Sequence, residues 1–480
     1  MHRTEHHGIP VLWKQGPQPL TGALVFRVGE RDETFRTSQV THAVEHLACS
    51  TIPRGHLEHN ASVSDEITVF HATGQPGQVA GYLAQIGAAL QDLPLDRLER
   101  ELRVLEAEEG SAVHPALGWS AAVRYGATGP GLVGMGGAPV TQLRREMVAE
   151  HAGRYFTTEN AVLVLTGPPP PGLDVTLAQG QRPQRRPDPI PSVPTPAAGT
   201  WQGPFPLISY LLPPHEAGWL LPTIFDERAT QRLRHDLAIS YSVEGDFMQM
   251  EDAMLVSHVA DGRAENLQTI AQTLWSVLAD LAEHGPTSTE LAHQLDGHLQ
   301  GLDDPREVMD ELVWAATRLL RGEPALSARE RAALAQQVST GDVRAWAQAA
   351  QASALIGLPE DVRVDLPEVT DLDAVEQPAT PPVAGTVFGR RLTAVLAPRD
   401  LQAVAGLAGI SLRAEGYTWS GTWDDVVGVA RGRRDRGIVL ADGRSFSLCD
   451  RHLRGTGELF EVVDRYAVDK VFDVPDDEFH

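Results

Sequence analysis

Two proline-rich stretches do most to limit how this chain can fold. The first runs from about Pro168 to Pro196 (PPPPG, then QRPQRRPDPIPSVPTP), the second from Glu376 to Gly385 (EQPATPPVAG). Proline fixes φ and removes a backbone donor, so neither stretch suits a helix interior or a central strand. Both read as semi-rigid linkers, and Arg182, Arg185 and Arg186 in the first read as solvated linker charge, with a docking or cleavage site as the alternative. The division is 1–170, linker 171–200, 201–375, linker 376–385, and 386–480. Length gives the same count, because 480 residues at about 150 per domain is roughly three domains.

The first two segments repeat one order of elements. In the first, residues 22–28 (GALVFRV) and 67–72 (ITVFHA) read as strands. Residues 37–49 read as a helix capped by Thr37 or Ser38. Helices are expected over 77–91 and 95–109, and a closing strand over 160–165. In the second, 206–212, 240–245 and 254–259 read as strands, and 226–237, 265–283 and 289–301 as helices. EHLACS (Glu45–Ser50) aligns with HDLAIS (His235–Ser240), which points to an internal duplication. The third segment differs. Short strands at 410–419, 423–430, 437–440 and 445–448, an Asp442-Gly443 hairpin and a helix over 455–467 describe a small helix-capped β-sheet or partial barrel.

Charge and cysteine content narrow the function classes. The net charge of −24 argues against a duplex nucleic acid or an anionic membrane as the main partner. Two cysteines, Cys49 and Cys449, form neither a disulfide framework nor a CxxC metal pair, which fits a reducing, cytoplasmic setting. No apolar run approaches the ~20 residues of a membrane span, and residues 1–20 carry no apolar signal core.

The chemistry centres on His42-Ala-Val-Glu45-His46. Residues four apart share a helix face, so His42 and His46 can offer two imidazoles to one metal ion. Glu45 lies beside them and can take a proton from a water that the metal has made acidic. This is the inverted zinc-peptidase pattern HxxEH. An amphipathic helix with surface histidines gives the same letters, in a chain with 18 histidines. A catalytic zinc needs a third protein ligand. Glu101, Glu106, Glu108 and Glu109 lie together in ERELRVLEAEEG, and Glu101 and Glu108 share a face two turns apart.

With these elements in this order, the sequence resembles the M16 metallopeptidases, the group of pitrilysin and the mitochondrial processing peptidase. HAVEHLA resembles their zinc helix, Asn60-Ala61-Ser62-Val63-Ser64 with the following ITVF their substrate strand, and Glu101-x6-Glu108 their acidic helix. Arg234 and Tyr241, seven apart in the second segment, match an Arg–Tyr pair of the family. The resemblance covers roughly residues 8–370. It implies an α+β chain of two related α/β half-domains, with zinc held by His42, His46 and Glu108. Glu45 is then the general base and Glu101 a supporting carboxylate behind the ligands. Asn60, Ala61 and Ser62 lie along an extended peptide substrate, and Arg234 and Tyr241 act on the tetrahedral intermediate. The stretch from His46 to Asn60 is shorter than the family's, which leaves Glu106 and Glu109 open beside Glu108.

A peptide could add to the Asn60 strand by main-chain hydrogen bonds, which give affinity with little sequence preference. The glycine-rich run Gly126–Gly137 reads as a plain surface loop or a flexible loop near the site. Family members close a chamber with four half-domains, and this chain has two. A dimer follows, with a homodimer favoured over a heterodimer because both functional halves are present. Arg234 and Tyr241 of one subunit would then serve the zinc of the other. The third segment resembles a PH-like domain, with a protein-docking role expected. The leading expectation is a zinc endopeptidase acting on peptides or unfolded segments, including precursor processing. The alternatives are a non-catalytic peptide-binding or structural subunit, and a different zinc hydrolase.

Overall fold

The computed structural model describes every residue except 54, 109–113, 185, 186, 188, 303, 367, 375–380 and 476–480. The first half-domain runs β1 (His2–His6), β2 (Ile9–Trp13), β3 (Leu20–Phe26), α1 (Val40–Cys49), β4 (Glu58–Val63), β5 (Thr68–Gly74) and α2 (Pro76–Gln91). It continues through α3 (Leu98–Ala107), α4 (Pro115–Tyr125), α5 (Leu132–Met135), α6 (Arg145–Tyr155) and β6 (Ala161–Leu165). The second runs β7 (Ala197–Thr200), β8 (Leu207–Leu212), α7 (Leu220–Thr230), β9 (Val243–Gln249), β10 (Met254–Ala260) and α8 (Leu267–His284). It ends with α9 (Ser288–Gly301), α10 (Val308–Leu320), α11 (Ala328–Ala335), α12 (Thr340–Ala352), β11 (Leu355–Leu358) and β12 (Thr370–Asp371).

The duplication is visible in the sheets. Their orders are β1-β2-β6-β3-β5-β4 and β12-β7-β11-β8-β10-β9. In each, a parallel pair (β2 with β6, β7 with β11) adjoins a run of antiparallel pairs, and in the second sheet β12 adds a further parallel pair with β7. The apolar runs of β3 and β6 fit a sheet covered on both faces. Leu24 and Phe26 of β3 pack with α1 and α2, while Ala23 and Val25 point to the other side. That other side is covered by Leu312, Ala315 and Ala316 of α10, a helix from the second half. Conversely, Leu117, Ala121 and Tyr125 of α4, from the first half, cover Met248 and Leu255 of the second sheet. Each half thus lends a helix to the back of the other's sheet.

The glycine-rich run is not a loose loop. It forms a 3-10 turn (Gly129–Gly131) and α5, which crosses α4 so closely that a Cβ on Gly134 would collide with the Gly118 carbonyl oxygen. The stretch read as the first linker is also docked. Val175 and Leu177 enter the first core, Arg182 Nε donates to the Glu159 carbonyl at 2.9 Å, and β7 begins inside it at Ala197. Arg185 and Arg186 lie outside the described residues, as do 376–380 of the second stretch.

Several boundaries moved. The helix expected over 226–237 starts at Leu220 and ends in a π-helical turn, Gln231–Asp236. The strand expected over 240–245 is β9, three to four residues later. The strand expected over 410–419 is two, β15 (Gly409–Ala414) and β16 (Tyr417–Thr422), because Glu415 and Gly416 turn at φ 52° and 83°. That pair of positive φ values makes a tight hairpin.

The C-terminal domain is β-rich. β13 (Thr386–Gly389), β14 (Gln402–Gly406), β15 (Gly409–Ala414) and β16 (Tyr417–Thr422) form one four-stranded meander. β17 (Val426–Arg431), β18 (Asp435–Leu440) and β19 (Ser445–Cys449) form a second, which β20 (Val471–Asp473) extends after α13 (Thr456–Tyr466). The β18–β19 hairpin turns at Gly443, as its Asp-Gly pair predicts, with φ 86°. The domain docks on the first half just before α1. Phe35 meets Phe472 at 6.0 Å between rings, and Arg36 Nε donates to the Val471 carbonyl at 3.1 Å.

Candidate metal centre on the first helix

The site is built on α1. Val40, Ala43, Val44, Leu47 and Ala48 bury one face of this helix in the first core. That orientation leaves His42 and His46 together on the opposite side, with ring centroids 4.8 Å apart. The start of α1 is not capped by Thr37 or Ser38. Those residues belong to, or follow, a separate 3-10 turn (Phe35–Thr37), and Gln39 precedes the helix at φ 64°. The cap comes from further back. The Glu33 carboxylate accepts the Gln39 N–H at 2.6 Å and the Thr41 N–H at 2.9 Å, satisfying amides that a helix start leaves unpaired.

The acidic helix packs against α1 through Leu98, Leu102 and Leu105. This stripe turns Glu101 towards the histidines, while the helix expected over 95–109 is a 3-10 turn (Leu95–Arg97) followed by α3, and Glu108 is the first residue past its end, in extended backbone. Glu108 reaches both, with Oε2 3.6 Å from His42 Nε2 and Oε1 3.5 Å from His46 Nε2. Ligands at about 2.0–2.1 Å from one tetrahedral ion stand roughly 3.3–3.4 Å from each other. One donor atom from each of His42, His46 and Glu108 lies within 4.8 Å of the others, so the set fits a zinc ion with small closure. Glu106 joins no such cluster among the described residues, and Glu109 lies outside them.

The neighbours have distinct parts. Glu45 Oε2 stands 3.4 Å from His42 Nε2, and its side chain is almost covered. Burial pushes its pKa up to about 7, opposed by the Cys49 thiol, which donates to it at 3.7 Å, and aided by Glu108. Glu101, also covered, approaches the other nitrogen of His46, with Oε2 3.8 Å from Nδ1. A carboxylate there favours the tautomer that leaves Nε2 free for metal. Burial lowers the pKa of His42, reinforced by His46 and opposed by Glu108, so its imidazole is neutral, as a ligand must be.

α6 braces α1 from behind, where His151 Nε2 lies 3.0 Å from the Thr41 hydroxyl. Burial, with Arg154 nearby, lowers the pKa of His151 to about 3. An unfolded histidine titrates near 6.5. Between these values the unfolded chain binds the extra proton, so stability falls as pH drops from 6.5 towards 3. The slope is at most about 1.4 kcal/mol per pH unit. Urea unfolding of the protein and His151→Gln across this range should show the variant's slope shallower by one proton. Equal slopes would remove His151 from the account.

Asn60, Ala61 and Ser62 lie on β4, which is the edge strand of its sheet. Its register with β5 (Asn60 with His71, Ala61 with Phe70, Ser62 with Val69) uses one side only. Arg234 sits in the π-helical turn, its guanidinium 4.7 Å from the Tyr241 ring centroid, and Tyr241 is 72% exposed. Among the described residues, no hydrogen bond, ion pair or ring contact joins this pair to the α1 cluster. Glu33, Cys49 and His151 were missed in the sequence as parts of the site. Their signals were weak, because each acts through a contact outside any motif.

No family model matches the sequence, and no curated protein matches it. Solved structures do. A protease from Helicobacter pylori superposes with TM-score 0.59 at 13% identity, covering 75% of this chain and 99% of that one. An inactive M16 peptidase domain from Pseudomonas fluorescens gives 0.56 at 12%, covering 76% and 99%. A chain of complex III2 from Candida albicans gives 0.59 at 14%, covering 75% and 96%. At such identities the likeness is one of fold, and the fold is that of M16 peptidase domains. These relatives in shape include a protease and a domain described as inactive. Activity therefore has to be argued from residues. No helix among the described residues is long and apolar enough to cross a membrane.

Proposed function

We propose that this chain is a zinc-dependent endopeptidase acting on peptides or unfolded segments, with His42, His46 and Glu108 as ligands. The observation that carries this reading is the buried Glu45 beside the three converging donors. A scaffold that only grips peptides has no use for a base in that position. A bound zinc ion supplies a Lewis acid, which polarises a carbonyl and makes a water acidic enough to attack it. Glu45 takes the water's proton and returns it to the leaving amine. A pKa near neutrality suits both transfers, and a divalent cation, when bound, would offset part of the rise that burial causes. Glu101 holds the His46 ring in place. The substrate lies along the free edge of β4 as an added strand.

The same reading makes the protein a dimer, with a homodimer favoured. Arg234 and Tyr241 of one subunit face the metal of the other and stabilise the developing oxyanion. Mixing inactive Glu45→Gln chains with inactive Arg234→Ala chains should then restore cleavage, up to roughly a quarter to a half of the native rate if subunits exchange and each site is independent. Two variants that stay inactive in a proven mixed dimer would show that the pair does not serve the partner's metal. The C-terminal domain, with its four- and three-strand meanders closed by a helix, supports a PH-like, protein-docking reading. A cytoplasmic setting with reduced Cys49 and Cys449 belongs to it too.

The test is zinc content with and without a chelator, read beside cleavage of a quenched peptide library. One zinc per chain, with cleavage lost on stripping and restored by zinc, is expected. Protein that neither takes up zinc nor cleaves would move the reading to a peptide-binding subunit.

A further inference from the structure

A cavity of about 1310 Å³ lies away from α1, between the two halves and the C-terminal domain. It exceeds the roughly 300–1,000 Å³ of a small-molecule site, so it has room for several residues of peptide. One wall is apolar. It consists of Trp119 on α4 with Trp201 and Phe205 on the β7–β8 loop. The two indoles stand 6.4 Å apart, and Trp201 Nε1 donates to the Phe205 carbonyl at 2.9 Å, which fixes that ring.

The second wall is acidic. Glu244 on β9 stands opposite Val259 on β10, so the two share the sheet face that α4 covers further along. Asp261 follows two residues on. Its Oδ1 accepts the Tyr241 and Ser242 amides and the Ser240 hydroxyl, at 2.7, 2.9 and 2.8 Å, and its Oδ2 carries none of these bonds. The Glu244 side chain has no hydrogen-bond or ion-pair partner among the described residues. The third wall is the C-terminal domain's hairpin, Asp442 to Arg444. It is fixed to the first half, since the Ala127 N–H donates to the Ala441 carbonyl at 2.9 Å and Gly443 packs on Gly126. Arg444 is neutralised by Asp442 at 2.6 Å, so Glu244 and Asp261 leave the cavity with an uncompensated negative charge.

We infer that this cavity binds a peptide segment carrying a bulky apolar side chain next to a cationic group. The aromatic wall takes the first and the two carboxylates take the second. The C-terminal hairpin then helps to choose what the chain binds. The inference rests on the peptidase reading for its biological sense, because it names a class of substrate segment, but its binding step does not need the metal.

The full-length Glu45→Gln protein should be titrated into an end-labelled decapeptide centred on Phe-Arg, and into its Phe-Glu counterpart, following the anisotropy of the label. The Phe-Arg peptide should bind at least about tenfold tighter, the scale of one charge-assisted hydrogen bond. Glu244→Gln should erase most of that preference. Arg444→Glu should tighten Phe-Arg binding severalfold, a gain that misfolding cannot imitate. Equal affinity for the two peptides, or no response to either substitution, would overturn the inference. Charge-selective binding by a protein that never cleaves would sink the peptidase reading alone. Cleavage without charge preference would sink this inference alone.

Discussion

Glu45→Gln is expected to bind zinc as the native chain does and to lose about 10²–10⁴-fold in peptide cleavage, the usual weight of a general base. The glutamine keeps the shape of the side chain and cannot accept a proton. His42, His46 and Glu108 remain in place, so metal content should stay at one ion per chain. The geometry makes this separation sharp, since Glu45 contacts His42 but is not one of the three converging donors. Loss of zinc together with activity would make Glu45 a ligand or a structural support instead. Unchanged cleavage would end the proposed mechanism.

Arg124→Ala is expected to cost roughly 3–5 kcal/mol of stability, through stranded buried acceptors and a cavity. Arg124 lies on the borrowed helix α4 and is fully buried. Its guanidinium donates to the Ser209 hydroxyl and carbonyl on β8, at 3.0 and 3.1 Å, and to the Ser353 carbonyl after α12, at 2.8 Å. Its own carbonyl receives the Ser192 amide at 2.8 Å. One side chain thus ties the first half to the sheet of the second. Burial lowers its pKa to about 10, which still leaves it charged at neutral pH. Arg124→Lys should recover only part of the loss, because one ammonium cannot span the planar fork of contacts. Urea unfolding measures both. A loss below about 1 kcal/mol would mean that the two halves are held by their apolar faces alone.

The contrast between these residues shows what a sequence displays. The Glu45 pattern is local, because residues three and four apart must be neighbours on any helix. The unbroken apolar runs of β3 and β6 likewise announce strands buried on both faces. Arg124, inside AAVRYG, carries no such signal. An arginine on a helix reads as a solvent-facing charge until the sheet it reaches is known. The same holds for α4 and α10. Their apolar stripes mark a buried face without naming the sheet, and each covers the sheet of the other half. Glu33 was equally hidden, because its role as the cap of α1 needs a turn that the intervening residues do not spell.

By itself the sequence determined the pairing of His42 with His46, the place of Glu45 between them and the repeated order of elements in the two halves. These follow from helix and strand periods, which act over a few residues. The tertiary structure brought Glu108 within reach of the histidines, because Leu98, Leu102 and Leu105 pack α3, which ends just before it, against α1. It also decided that Glu45 is buried enough to titrate near neutrality, that β4 is a free edge, and that the C-terminal hairpin closes a cavity. Each of these depends on segments far apart in the chain coming to share one surface, and local propensity carries no record of that.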